Sequence, residues 1–133
     1  MATFLLDIVT PEKTVHSGDV SYVKAPGVDG GFGVLSRHQP MLAALAIGQV
    51  EFTRADGTRQ KLVIGGGFAN VSRDGMTVLA ETAETPEEID VERARASRDR
   101  ARQRLADRGG IDAERAQAAL SRAMWRLRLV GTE

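Results

Sequence analysis

The sequence predicts an α+β protein: an N-terminal antiparallel β-sandwich, or flattened barrel, over residues 1–86, then an antiparallel two-helix hairpin over residues 87–133. Three observations carry this. All four prolines and eleven of the fourteen glycines lie at or before Pro86, so the chain there is cut into many short elements. Residues 87–108 hold seven arginines and neither Gly nor Pro, the pattern of one uninterrupted helix. Charge changes at the same place, the two parts carrying −2 and +2, which cancel to the zero net charge of the whole.

In the first part, residues 3–9 (TFLLDIV) are rich in strand-forming side chains and stop at Thr10-Pro11. Residues 20–25 (VSYVKA) alternate and stop at Pro26-Gly27. Two Asp-Gly pairs follow. Asp56-Gly57 lies between strands at 50–54 and 58–64, and Asp74-Gly75 between strands at 68–72 and 76–81. Both residue types tolerate positive φ, so each pair predicts a type I′ hairpin turn. Short strands at this spacing imply a closed antiparallel architecture.

Residues 27–33 (GVDGGFG) read as a flexible, glycine-dense loop tip, because the G-x-G-x-x-G spacing is not met. Gly65-Gly66-Gly67 follows a strand and superficially resembles a phosphate loop. The segment after it, FANVS, is another strand, so no helix N-terminus is there to receive an anion. A bulge or bend is the better reading.

The second part contains one motif twice: Ile89-Asp90-Val91-Glu92-Arg93-Ala94 and Ile111-Asp112-Ala113-Glu114-Arg115-Ala116. Each Asp is placed to cap a helix, each Glu sits near the positive dipole end, and each Ile can act as a staple. Helices are expected at about 90–107 and 112–130, joined through Gly109-Gly110. Thr85-Pro86-Glu87-Glu88 offers an earlier start, with Thr85 and Glu88 as a capping box. The second helix has an apolar seam at Ala113, Ala116, Leu120, Ala123/Met124, Leu127 and Val130. The first offers mostly alanine, with Arg98 where the stripe would continue, so its docking is expected to be weak.

Composition excludes several classes. There is no cysteine, hence no disulfide framework, thiolate nucleophile or cysteine zinc site. The longest apolar run, residues 41–47, falls far short of the roughly 20 residues that span a bilayer. The N-terminus lacks the basic region of a signal peptide. Zero net charge, one Trp and one Tyr disfavour a nucleic-acid adaptor. Neither His16 nor His38 has metal spacing, and no nucleophile elbow, zincin or Walker motif occurs. The arginines stand out. Arg93 and Arg100 share a face of the first helix, Arg122 and Arg126 a face of the second. In an antiparallel pair they either meet a polyanion or form a solvated, salt-bridged face.

Several segments, in register over nearly the whole chain, resemble the epsilon subunit of bacterial F-type ATP synthases. These are FLLDIVTPEKTVHSGDV, GGFGVLSRHQPMLAALAIGQV, VIGGGFANVSRDGMTVLAETAE and the two helical stretches opening with Ile-Asp. One departure is plain: Ser36-Arg37 stands where the family has Pro-Gly, while His38 and Pro40 remain. The resemblance implies a non-catalytic rotor subunit with no required cofactor, peripheral to the cytoplasmic face of the bacterial inner membrane. Its sandwich would bind the gamma subunit and the c ring of a proton-translocating enzyme. The c-ring contact would fall at Asp29, Gly30 and Gly31, with His38 as a further subunit contact. Its hairpin would be mobile, able to extend to the alpha/beta hexamer and impede hydrolysis. In some members ATP holds the hairpin folded through I-D-x-x-R-A, here Ile89, Asp90, Arg93 and Ala94, with Glu84, Arg100, Arg122 and Arg126 as partners. The competing reading is a stand-alone nucleotide-sensing module, which ATP binding by the isolated chain without subunit partners would favour.

Overall fold

The computed structural model describes residues 2–107 and 112–131. The chain forms two compact units, residues 1–83 and 84–133. The Gly109-Gly110 connection and the Ile111 staple lie outside the described residues.

The first unit is built from β1 (Phe4–Val9), β2 (Thr14–Gly27), β3 (Gly30–Val34), β4 (Met41–Arg54), β5 (Arg59–Val71) and β6 (Gly75–Ala80). A two-residue strand, β7 (Ala83–Glu84), spans the boundary with the second unit. Hydrogen-bonded neighbours run β1-β6-β5-β4-β2, and β1 also pairs with β2, so the sheet closes on itself as a flattened barrel. Closure removes exposed edges along most of the ring. Its pairings are antiparallel except β1 with β6, which is parallel. Alternation along β1 shows the logic: Phe4, Leu6 and Ile8 point inward and are buried, while Leu5, Asp7 and Val9 point outward. Inward residues of the other strands, among them Val20, Val23, Val50, Phe52, Leu62, Ile64, Val71 and Val78, complete one apolar core.

Local geometry departs from the sequence expectation in three places. Neither Asp-Gly turn is type I′, because neither Asp56 nor Asp74 has positive φ. At the first, Gly57 alone takes φ 89° and its N–H donates to the Arg54 carbonyl (2.9 Å). That is the three-residue hairpin in which a single glycine provides the left-handed step. The Asp56 carboxylate instead accepts from the Thr58 hydroxyl (2.7 Å) and N–H (2.9 Å), bonds that hold its pKa below the ordinary carboxylate value. At the second, Ser72 closes the turn, its N–H and hydroxyl both donating to the Gly75 carbonyl.

Residues 27–33 are a β-hairpin rather than a flexible loop. Gly27 pairs with Gly30, Pro26 with Gly31 and Ala25 with Phe32, leaving only Val28-Asp29 as the tip. The glycines at 65–67 lie inside one long strand. The β4–β5 register is the same on both sides of them, so they form no bulge. Gly66 and Gly67 take φ 96° and 149°, and a Cβ on Gly67 would run into the Leu79 carbonyl oxygen.

The second unit holds a 3₁₀ turn (Pro86–Glu88), α1 (Val91–Ala106) and α2 (Ala113–Leu129). Asp90 caps α1, accepting from the Arg93 N–H at 3.1 Å, and Asp112 caps α2, accepting from the Arg115 N–H at 3.2 Å. Both starting signals near the first helix are used, because Glu88 also accepts from the Thr85 N–H at 3.0 Å. The buried side chains of the helices are Ala94 and Ala101 on α1 and Ala116, Ala123 and Leu127 on α2. Small alanines permit close helix approach but contribute little area.

Candidate functional site

The hairpin unit contains a mixed acidic and basic pocket of about 350 Å³, lined by Glu84, Glu88, Asp90, Arg93, Ala94, Ser97, Arg100 and Arg126. Its floor comes from helical spacing. Asp90, Arg93, Ala94 and Ser97 recur at three and four along the start of α1, with Arg100 one turn further. Ala94 is small and buried, which leaves room above it. Arg126, from the last turns of α2, reaches the same pocket, as antiparallel packing requires.

The charges are partly compensated. Arg126 Nε donates to Glu84 Oε1 at 2.6 Å, with side-chain exposures of 26% and 28%. Arg100 Nη2 donates to the Ser97 hydroxyl at 3.2 Å. The Asp90 carboxylate is spent on the Arg93 backbone N–H, and the Arg93 guanidinium has no hydrogen bond or ion pair among the described residues. The pocket thus offers an unengaged guanidinium, a second held only by a hydroxyl, and a third neutralised by a carboxylate. Such an arrangement can accept an anionic ligand through forked, charge-assisted hydrogen bonds.

Of the residues singled out from sequence, the structure brings together Glu84, Asp90, Arg93, Ala94, Arg100 and Arg126. Arg122 is not in the lining and makes no ion pair among the described residues, and Ile89 is buried. Glu88 and Ser97 also line the pocket. The Thr85/Glu88 capping signal placed Glu88 near it, whereas nothing marked Ser97 except its position three before Arg100.

In the barrel unit, Asp29 and Gly30 stand at the β2–β3 tip, and Gly31 lies within the paired strand. His38 lies in the loop between β3 and β4, its Nδ1 donating to the Gln39 carbonyl at 2.7 Å. Arg37 beside it takes φ 62°, left-handed backbone at the place where the resembling family carries glycine.

The barrel wall carries a feature that sequence reading missed. Val9 pairs with Leu79, Leu79 with Phe68 and Phe68 with Ala44, so four outward side chains make one apolar row across β1, β6, β5 and β4. Leu79 and Phe68 are 53% and 55% exposed, and Leu42, on the same face of β4, is 73% exposed. Each is one alternation step away from a core residue, but only the register reveals that they adjoin.

Among the described residues no group of His, Asp and Glu is arranged to hold a metal ion, and no helix is long and apolar enough to cross a membrane.

Residues 3–86 match the family model described as ATP synthase, Delta/Epsilon chain, beta-sandwich domain. Residues 87–131 match its counterpart, the long alpha-helix domain. The chain is 53% identical over 127 residues to the ATP synthase epsilon chain of Nitratidesulfovibrio vulgaris, covering 95% of this chain and 94% of that one. It is 43% identical over 132 residues to that of Moorella thermoacetica, covering 98% of each. In fold it is similar to a chain of the Euglena gracilis mitochondrial ATP synthase structure containing OSCP, F1 and c-ring. That likeness has a TM-score of 0.85 at 24% identity, over 96% of this chain and 81% of the other.

Proposed function

This chain belongs to the ATP synthase delta/epsilon family, whose epsilon chains are non-catalytic, and from that premise we propose that it is a central-stalk rotor subunit with a nucleotide-responsive hairpin. In this reading the barrel clasps gamma and faces the c ring, coupling ring rotation to the shaft. The c-ring side is the β2–β3 tip, with Asp29 as its acid, and His38 lies in the adjoining loop. The complex holds the chain at the cytoplasmic face of the bacterial inner membrane.

The observation that carries the reading is the apolar row Val9–Leu79–Phe68–Ala44 with Leu42. Exposed leucine and phenylalanine adjoining across four strands are costly to leave in water, at about 25 cal/mol per Å². A permanent partner such as gamma removes that cost. Phe68→Glu places a charge at the centre of the row without touching the core. Copurification of gamma with the tagged chain should fall sharply for this variant while circular dichroism stays unchanged. Undiminished copurification overturns the assigned face.

The hairpin pocket supports the regulatory half of the proposal. ATP would meet Arg93, Arg100 and Arg126 with its phosphates, with Glu84 orienting Arg126, Asp90 capping the helix that carries Arg93, Ile89 and Ala94 completing the motif and Arg122 adding charge to the same helix as Arg126. A hairpin so held would be kept from the alpha/beta hexamer. Calorimetric titration of the full chain with ATP should show saturable binding that Arg126→Ala abolishes. Absence of heat at millimolar ATP refutes the nucleotide reading and leaves the rotor reading standing.

A further inference from the structure

His16 faces the inside of the barrel. It pairs with Ile8, a fully buried core residue, on the last regular step of the β1–β2 ladder before the register shifts at Val9. Its ring lies 4.4 Å, centroid to centroid, from that of Phe52, another fully buried core residue. Its Nε2 is buried without a hydrogen-bond partner. Two charged groups act on it from the strands around it. The Arg54 guanidinium of β4 lies 5.8 Å from the centre of the same Phe52 ring and donates to Gln60 Oε1. The Asp7 carboxylate of β1 is on the outward side and is already bonded to the Ser17 hydroxyl at 2.6 Å.

We propose that His16 is an acid-responsive latch, whose protonation loosens the β1–β2 seam that closes the barrel. A neutral imidazole suits this place, because it packs its ring, tilted by 43°, against Phe52 and carries one N–H donor rather than two. An imidazolium has two donors, one of them aimed where no acceptor stands, and adds a second cation beside Arg54. Asp7 attracts it, but from the other face of the strand. Burial, then Arg54, accordingly hold the imidazole below its ordinary value of 6.5, opposed by the Gly18 backbone and by Asp7. The sign follows from linkage. The unfolded chain takes up the His16 proton more readily than the folded one, so stability is full above pH 6.5 and is lost as pH falls through 6.5 toward the folded-state value. The seam is where this loss is expressed, because the His16–Ile8 step is the last regular one before the β1–β2 register shifts.

The chain has only two histidines, so the test is direct. Thermal unfolding of the full chain is followed near pH 7.5 and near pH 5.5 for wild type, His16→Phe and His38→Gln. Wild type and His38→Gln should lose stability on acidification, and His16→Phe should lose none. An equal loss in all three overturns the latch. Should His16→Phe fail to fold, the wild-type imidazole NMR signals and the protection factors of the β1–β2 amides, exchange taken relative to the intrinsic rate at each pH, decide. A His16 signal titrating below 6.5, with seam protection factors lower at the lower pH, supports the proposal. A signal titrating at or above 6.5, or seam protection factors unchanged by pH, refutes it.

Discussion

Arg37 offers the sharpest test of the backbone geometry. It is the only non-glycine residue of the described chain with positive φ, at 62°, and it stands in the loop between β3 and β4. For a residue with a Cβ, left-handed backbone costs roughly 1–2 kcal/mol. Arg37→Gly removes that cost but restores freedom to the unfolded chain, which offsets about 0.4–1 kcal/mol of the gain. The net is a stabilisation of about 0.5–1 kcal/mol. At roughly 4–8 °C per kcal/mol for a domain of this size, Tm should rise by about 2–8 °C. The side chain makes no hydrogen bond or ion pair among the described residues, so its removal carries little further penalty. Arg37→Ala is the control, because it deletes the guanidinium yet keeps the Cβ, and it should leave Tm within about 1 °C of wild type. Scanning calorimetry of the three proteins decides. If Arg37→Gly melts at or below Arg37→Ala, the strain argument is wrong.

Gly67→Ala should unfold the barrel or cost several kcal/mol, since its Cβ meets the Leu79 carbonyl oxygen, whereas Gly57→Ala, at positive φ but in open space, should cost about 1–2 kcal/mol; urea midpoints separate them. Leu127→Ala removes the one large, fully buried side chain of the helices and should cost the hairpin about 2–5 kcal/mol, read through Trp125, the chain's only tryptophan. Asp90→Ala should cost α1 about 1 kcal/mol through its lost cap, measured as helical circular dichroism during thermal unfolding. A cysteine at Asp29 should crosslink to the c subunit in the assembled enzyme, and products formed only with alpha or beta would refute the assigned end of the barrel.

What the sequence made legible was local, and what it concealed was pairing at a distance. Gly and Pro density marked the barrel, and the Ile-Asp repeats marked both helix starts, because capping acts within one turn. The Asp-Gly pairs marked turns but not their type, since Asp56 uses its carboxylate on Thr58 instead of adopting left-handed backbone. Residues 27–33 looked like loop because glycine has little strand preference of its own. Pairing of residues 30–33 with Lys24–Gly27 puts them in β3 all the same. The parallel β1–β6 pairing and the apolar row join residues about seventy positions apart, beyond the reach of any periodicity. The pocket was half legible. Helical spacing put Arg93 and Arg100 on one face, but the Glu84–Arg126 pair needed the antiparallel fold to bring it together.

The hairpin's composition bears on why a ligand of ordinary affinity would suffice to govern it. The buried side chains of its helices are four alanines and Leu127. Alanine adds little, and full burial of one leucine is worth about 1.5–3 kcal/mol. The Glu84–Arg126 pair is more than a quarter exposed on both sides, and solvent screening keeps such pairs near 0–1 kcal/mol. A ligand at a hundredfold excess over its Kd adds about 2.7 kcal/mol to the state it binds. That matches the contribution of Leu127 and exceeds that of the Glu84–Arg126 ion pair. A leucine-rich hairpin would be too stable for a metabolite to decide its state. On the proposed nucleotide reading, the many alanines, which look like poor packing, leave the hairpin at a stability that a bound polyanion would tip.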